Sequence, residues 1–94
     1  MSGLVEFLRA RLDADGEWAA TVLEDPGAGD LHGIARRSLS EVAAKRGLIR
    51  VWEGLRLLNQ DGGYELAYGV ASKALQLHAA VFADHPDYDE RWRP

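Results

Sequence analysis

The chain has 94 residues, about the length of one domain, and folding a chain of this size buries roughly 60–70% of its unfolded surface. It contains no cysteine, which excludes disulfides, thiolate nucleophiles and cysteine-ligated zinc. Its net charge of −4 disfavours binding to the phosphate backbone of nucleic acids. We therefore expect a single domain, residues 1–94, that needs no oxidising compartment.

The sequence shows no export or membrane signal. Charged side chains begin at Glu6, whereas a secretory signal begins with a basic stretch followed by an apolar run. The uncharged run Ala74–Ala83 has about half of the roughly 20 residues that a membrane span requires. We expect a soluble, cytoplasmic protein with no membrane partner.

The first predicted helix follows apolar residues that recur three and four positions apart. Ser2 is a candidate cap, and Gly16 is a weak point that costs up to about 1 kcal/mol relative to alanine. Asp25 precedes Pro26 and two glycines follow, so the helix should end at the loop Glu24–Asp30. The apolar positions are Leu4, Val5, Leu8, Leu12, Ala19, Val22 and Leu23.

The second predicted helix begins between Asp30 and Ser38 and ends near Asn59. Asp30 is one candidate cap, while Ser38 and Glu41 match a capping box, in which each side chain accepts a hydrogen bond from a free backbone N–H group. The apolar side consists of Leu39, Val42, Leu48, Ile49, Trp52, Leu55 and Leu58, and the outer side carries an Arg37, Glu41 and Lys45 ladder.

Two glycines interrupt the second helix one heptad apart. Gly47 and Gly54 each weaken a helix by roughly 1 kcal/mol. One interpretation is a tight helix crossing at Ala43, Gly47 and Gly54, where small residues let another backbone approach. The other is that the fold simply tolerates them.

The third predicted helix covers residues 64–83, after the turn-forming sequence NQDGGYE. One apolar stripe contains Leu66, Val70, Leu77 and Val81, and an adjacent stripe contains Ala67, Ala71, Leu75 and Phe82. So wide an apolar surface suits a helix that touches two neighbours, or one neighbour and a second copy of the protein. No segment alternates as a strand does, so the predicted fold is an all-α three-helix bundle with a short C-terminal helical turn.

The C-terminal residues predict a helical clasp. Pro86 disfavours helical geometry at His85 and is itself favoured at the first position of a helix. We expect a short turn from Pro86 in which Tyr88 and Trp92, four residues apart, lie on one side and cover the end of the bundle.

No enzyme motif is visible. The sequence lacks a Ser-x-x-Lys pair, a Gly-x-Ser-x-Gly elbow and a glycine-rich phosphate loop. The alternative hypothesis is a small metal-dependent hydrolase that uses His78, Asp84, His85 and Asp87, although these residues lack the spacing that places ligands on one helical face. We therefore expect no enzymatic activity, no metal and no cofactor.

The charges are unevenly distributed along the chain. Residues 1–30 carry −5, residues 31–60 carry +4 and residues 61–94 carry −3. This pattern indicates either pairing between neighbouring segments or a basic docking face on the second helix. A DNA-binding alternative would use Arg36, Arg37, Lys45, Arg46 and Arg50. The candidate partner-binding residues are Arg46, Arg50, Trp52, Tyr88 and Trp92.

Four segments resemble a family of small uncharacterised proteins, catalogued as a domain of unknown function, from actinobacteria and their phages. They are FLRARLDAD (7–15), IAR (34–36), LSEVAAKRGLI (39–49) and ADHPDYDERWRP (83–94), of which the His-Pro-Asp-Tyr and Trp-Arg-Pro tail is the most specific. Members usually carry a His-Asp-Pro-Ala-like insertion after the IAR segment, and this chain lacks it. The resemblance implies an actinobacterial or phage origin and no reaction.

These observations together predict a non-enzymatic protein-binding module. Two further expectations are a homodimer and, if the protein is phage-borne, modulation of a host protein. The expected partner is a protein, with no nucleic acid and no membrane.

Overall fold

The computed structural model describes residues 3–94, which form three α-helices and no β-strand. Helix α1 is Leu4–Glu24, α2 is His32–Leu58 and α3 is Glu65–Ala80. Short 3-10 turns lie at Pro26–Leu31, Asn59–Asp61 and Glu90–Trp92. The predicted all-α fold of three helices is confirmed.

The start and end of α1 are set by local backbone chemistry. Gly3 precedes the helix with φ of 82°, in the left-handed region that favours glycine. The helix runs unbroken through Gly16 and stops before Asp25, which is extended and accepts a hydrogen bond from the Gly27 N–H on its carboxylate at 2.8 Å. The predicted end of α1 is therefore confirmed, while the predicted cap Ser2 lies outside the described residues.

Helix α2 begins at His32, inside the predicted interval, but the proposed capping box is wrong. Leu31 precedes the helix without a side-chain cap, and Ser38 and Glu41 lie within the helix. The 3-10 turn Pro26–Leu31 leads directly into α2, so the backbone is already helical when the chain reaches Ser38. Glu41 instead accepts a hydrogen bond from Arg37 at 3.3 Å, as the predicted charge ladder requires.

Side chains at both ends of the loop between α2 and α3 accept hydrogen bonds from its backbone. Gly62 and Gly63 have φ of 80° and 95°, as the predicted turn requires. Asn59 accepts a hydrogen bond from the Tyr64 N–H at 3.1 Å, and the Glu65 carboxylate accepts one from the Gly63 N–H at 3.1 Å. The backbone N–H groups of Glu65 and Gly63 hold the pKa of the Glu65 carboxyl below its ordinary value.

The three helices form a bundle at one end of the molecule only. The main core combines residues of α1 and α2 with Ala71, Leu75 and Ala79 of α3. A second, smaller core of Ala19, Val22 and Ala35 contains no residue of α3. Because α3 is shorter than α1 and α2, those two helices continue past it as a pair, and the molecule measures 53 × 26 × 15 Å.

Aromatic rings of the C-terminal segment pack around Phe7 of α1. The Phe7 ring centroid lies 6.2 Å from that of Phe82, 5.9 Å from that of Tyr88 and 5.1 Å from that of Trp92. Tyr88 and Trp92 also meet edge to face at 5.6 Å, and both are buried. The predicted covering of the bundle by these two residues is confirmed.

The helical turn in the clasp begins later than expected. Pro86 was expected to begin the helical turn. It occupies instead the second position of a turn in which the Tyr88 N–H donates to the His85 carbonyl at 3.0 Å. The 3-10 turn follows, and the Asp89 carboxylate caps it by accepting from the Arg91 N–H at 2.9 Å. Proline favours both roles, and here it takes the turn position, with Tyr88 packed against Phe7.

The predicted tight crossing at Ala43, Gly47 and Gly54 is wrong. A Cβ atom added at Gly54 would meet nothing within 4 Å, and one added at Gly47 would meet only the Arg50 side chain, at 3.6 Å. Ala43 is exposed. No backbone approaches α2 along this line in the described part of the chain.

Replacing Gly54 by alanine should therefore stabilise the protein. Alanine removes the entropic cost of a helical glycine without a clash, so we expect the free energy of unfolding to rise by about 0.5–1 kcal/mol in urea titrations. The matched variant Gly3→Ala should lower it, because an alanine at φ of 82° is strained. A destabilising Gly54→Ala would contradict the structure at this position.

Removing a buried aromatic side chain from the C-terminal clasp should destabilise the protein. We expect Trp92→Ala to lower the free energy of unfolding by about 3–5 kcal/mol, since it empties a buried aromatic site. The neighbouring control Arg91→Ala removes only an exposed pair with Asp89 and should cost less than about 1 kcal/mol. Equal effects in the two variants would show that the clasp does not support the fold.

Candidate binding surface

The outer face of α3 carries a row of exposed aliphatic side chains, which we call the α3 stripe. It consists of Leu66, Val70, Leu77 and Val81, with 84%, 63%, 56% and 77% of their surface exposed. Val81 directly follows the last residue of α3 and keeps helical dihedral angles. The stripe therefore extends along the whole helix.

The spacing of apolar residues explains why α3 is apolar on two sides. Leu75 comes nine positions after Leu66, which is two and a half helical turns, so the two side chains point in opposite directions. Leu75 is 1% exposed and lies in the core. Burying one side of α3 thus necessarily exposes the other.

The borders of the α3 stripe are made of small residues and carry little charge. Ala67 and Gly69 are exposed, and no atom lies within 4 Å of a Cβ added at Gly69. The acidic and basic residues of α3 are Glu65 at the first turn, Lys73 at the middle and His78 in the last turn. A partner can therefore approach the helix closely, and polar attraction would contribute little to its binding.

A groove beside the α3 stripe separates α3 from α2. Its walls include Ala44, Lys45, Leu48 and His78, and it measures about 270 Å³. Partial burial and, secondarily, the nearby positive charge of Lys45 hold the pKa of His78 below its ordinary value. A neighbouring apolar pocket, whose walls include Leu48 and Leu75, holds only about 10 Å³, which is too small for a substrate.

A more polar cleft lies between the start of α1 and the end of α2, with a volume of about 480 Å³. Its cations already have partners, since Arg9 pairs with Glu53 at 2.9 Å and Arg56 lies 5.8 Å from the centre of the Trp52 ring. Both arginines of the cleft are therefore engaged inside the protein.

The structure does not gather the predicted partner-binding residues on one surface. Trp52, Tyr88 and Trp92 are buried, and the indole of Trp52 donates a hydrogen bond to the Ser72 hydroxyl at 2.9 Å. Arg46 forms an ion pair with Asp13 at 2.7 Å. The three aromatic residues are thus core residues, and of the five predicted residues only Arg50 is exposed.

The width of the apolar surface on the third predicted helix suited contact with a second copy of the protein, but none of the predicted partner-binding residues lies on the α3 stripe. The signal was an apolar pattern too wide for one neighbour. The sequence did not reveal which of the two α3 stripes faces the core.

The histidines and nearby carboxylates do not form a metal site. Within residues 3–94, no group of three histidine or acidic side chains is placed to hold an ion. The two ring nitrogens of His85 face Arg11, at 2.6 Å, and the backbone N–H of Asp87, at 3.0 Å. His78 lies separately in the groove between α2 and α3. This geometry does not support the metal-dependent hydrolase.

The basic residues of α2 are partly used inside the protein. Arg46 and Arg37 pair with Asp13 and Glu41, while Arg36 and Arg50 remain exposed. The interhelical pairing of Arg46 supports the interpretation that the charge blocks complement each other. It leaves few free cations for a phosphate backbone.

Comparison with known proteins identifies the family. A model of a family of unknown function, DUF6221, matches residues 1–94, the whole length of the chain. The chain belongs to this family. No curated protein and no solved structure matches it. Within residues 3–94, no helix has the length and apolar character needed to cross a membrane.

Because its pKa is lowered, His78 should make stability depend on pH. Above the ordinary histidine pKa of 6.5, His78 is neutral in both the folded and the unfolded chain. As the pH falls below this value the unfolded chain binds the proton first, so stability decreases until the pH passes the folded-state pKa. We expect His78→Gln to reduce the loss of unfolding free energy between about pH 7.5 and about pH 5.5, measured by urea titration.

The variant Lys45→Gln provides the matched control for His78. It removes the positive charge that helps to lower the pKa of His78 while leaving the imidazole in place, so it should reduce the pH dependence less than His78→Gln does. An unchanged pH dependence in His78→Gln would contradict a lowered pKa at this residue.

Proposed function

We propose that the protein is a non-enzymatic protein-binding module and that the α3 stripe is its docking surface. The observation that carries this proposal is the exposure of Leu66, Val70, Leu77 and Val81 along one face of α3. Contiguous apolar surface of this kind on a folded protein marks a site of interaction.

The energetics favour occupation of this face. Covering a fully exposed leucine or valine contributes about 1.5–3 kcal/mol. The α3 stripe contains four leucine and valine side chains, each more than half exposed, in a row about 22 Å long, the rise of 15 residues. An apolar helix face laid against this row is the recognition mode that fits its shape.

The enzymatic alternative has less support from the described residues. They hold no metal-ligand cluster, and the apolar pocket at the core is too small for a substrate. The α3 stripe itself has no nucleophile, and the neighbouring Lys73 is exposed rather than enclosed. These features fit recognition better than catalysis.

The proposal also includes the source of the protein and its cellular compartment. The resemblance of the tail sequence HPDYDERWRP to that of small actinobacterial and phage proteins supports a bacterial or phage source. A chain without cysteine is suited to the reducing cytoplasm. If the protein is phage-borne, a host protein is the partner that follows from this origin.

Site-specific photo-crosslinking tests the docking surface. A photoreactive amino acid at Val70 should give one discrete adduct in cells, while the same group at the exposed Glu17 of α1 should not. Introducing Leu66→Glu into the Val70 probe should abolish the adduct, because a carboxylate placed in an apolar contact loses its hydration. Adducts that form equally at both positions, or none at Val70, would overturn the proposal.

A further inference from the structure

We propose that the partner of the α3 stripe is a second copy of this chain, with the two α3 helices antiparallel about a two-fold axis between Lys73 and Ala74. This inference rests on the proposed docking surface and names its occupant.

The spacing between the residues of the α3 stripe is the same whether it is counted from the N-terminal or the C-terminal end of the stripe. Its members are separated by four, seven and four residues, so the midpoint falls between Lys73 and Ala74. A two-fold axis at this midpoint places Leu66 opposite Val81 of the second copy, and Val70 opposite Leu77 of the second copy. A two-fold interface must be complementary to itself in this way, whereas a surface for an unrelated protein need not be.

The order of residue types favours the antiparallel arrangement over the parallel one. In the antiparallel pair every leucine faces a valine, so each level of the contact has the same side-chain volume and the helices keep a constant separation. A parallel pair would instead alternate leucine against leucine with valine against valine. Antiparallel helices also place the positive end of each macrodipole beside the negative end of the other.

The two-fold contact buries apolar surface with the residues of the α3 stripe alone. Each copy contributes the same four aliphatic side chains, so eight become covered. The exposed Ala67 and Gly69 at the borders leave room for a close approach of the helices, which typically pack 8–10 Å apart. Lys73 is exposed near the axis, where its flexible side chain can keep the ammonium group in water.

Sedimentation of the purified protein is the first test. The natural chain should sediment at twice its mass of 10.4 kDa. Val70→Glu should raise the dimer dissociation constant by about 100-fold or more, because two carboxylates enter the apolar contact. The control Leu57→Glu, at an α2 position that is also 65% exposed, should leave it unchanged. A monomeric natural chain, or equal effects of both variants, would overturn the second-copy proposal.

Disulfide trapping tests the register, and the absence of natural cysteines makes single-cysteine variants clean probes. At the expected helix separation, the two Cα atoms of residue 74 lie about 6 Å apart, within the range of a disulfide. Ala74→Cys should therefore form a covalent dimer. Leu66→Cys should not link to itself, since its two copies lie about 22 Å apart, but should link to Val81→Cys in a mixture.

The control position is Ala20, an exposed alanine on α1, where cysteine should give no covalent dimer. Linking of Leu66→Cys to itself would show a parallel pair and overturn the proposed register. Circular dichroism should show that each variant remains helical.

The two proposals fail in different ways. A purified protein that is monomeric and forms no disulfide, together with a cellular photo-adduct whose mass includes another protein, would overturn the second copy and leave the docking surface in place. The absence of any adduct would remove both proposals.

Discussion

The packing of aromatic rings around Phe7 is the interaction on which the rest of the structure depends. Phe82 lies just after α3, and Tyr88 and Trp92 lie in the C-terminal segment. All three rings pack against Phe7, so this one side chain of α1 contacts both the end of α3 and the C-terminal segment. These contacts fix the end of α3 against α1 and direct Ala71, Leu75 and Ala79 into the core. Because the C-terminal segment is used on the Phe7 side of α1, it does not cover the outer face of α3.

The α3 stripe is a consequence of this arrangement. A helix that is apolar on two sides can bury only one of them in a three-helix bundle, unless another element or another molecule covers the second. Within the described residues the second side remains exposed, with Leu66 and Val81 the most accessible members. The fold thus leaves open a surface whose chemistry suits a partner, and the symmetric spacing of that surface suits a second copy.

Polar interactions connect the first two helices. The ion pairs Arg9–Glu53 and Arg46–Asp13 connect α1 to α2. The second pair joins the acidic first segment to the basic second segment, which accounts for part of the alternation of charge along the sequence. Exposed pairs of this type contribute little energy individually, so they are better suited to aligning two helices than to holding them together. Of the residues singled out for metal binding, His85 is engaged with Arg11 and the tail backbone.

The sequence alone determined that the chain is all-α, that α1 stops before Pro26, that Gly62 and Gly63 form a turn and that Tyr88 and Trp92 form a clasp. These features follow from local chemistry and from periodic apolar spacing, which act within a few residues. Only the tertiary structure decided that Trp52 is a core residue, that no helix crosses α2 at Gly54 and that the Leu66 side of α3 faces outward. These outcomes depend on which surfaces of the helices meet in space. When a helix has two apolar sides, the sequence does not specify which of them will be buried.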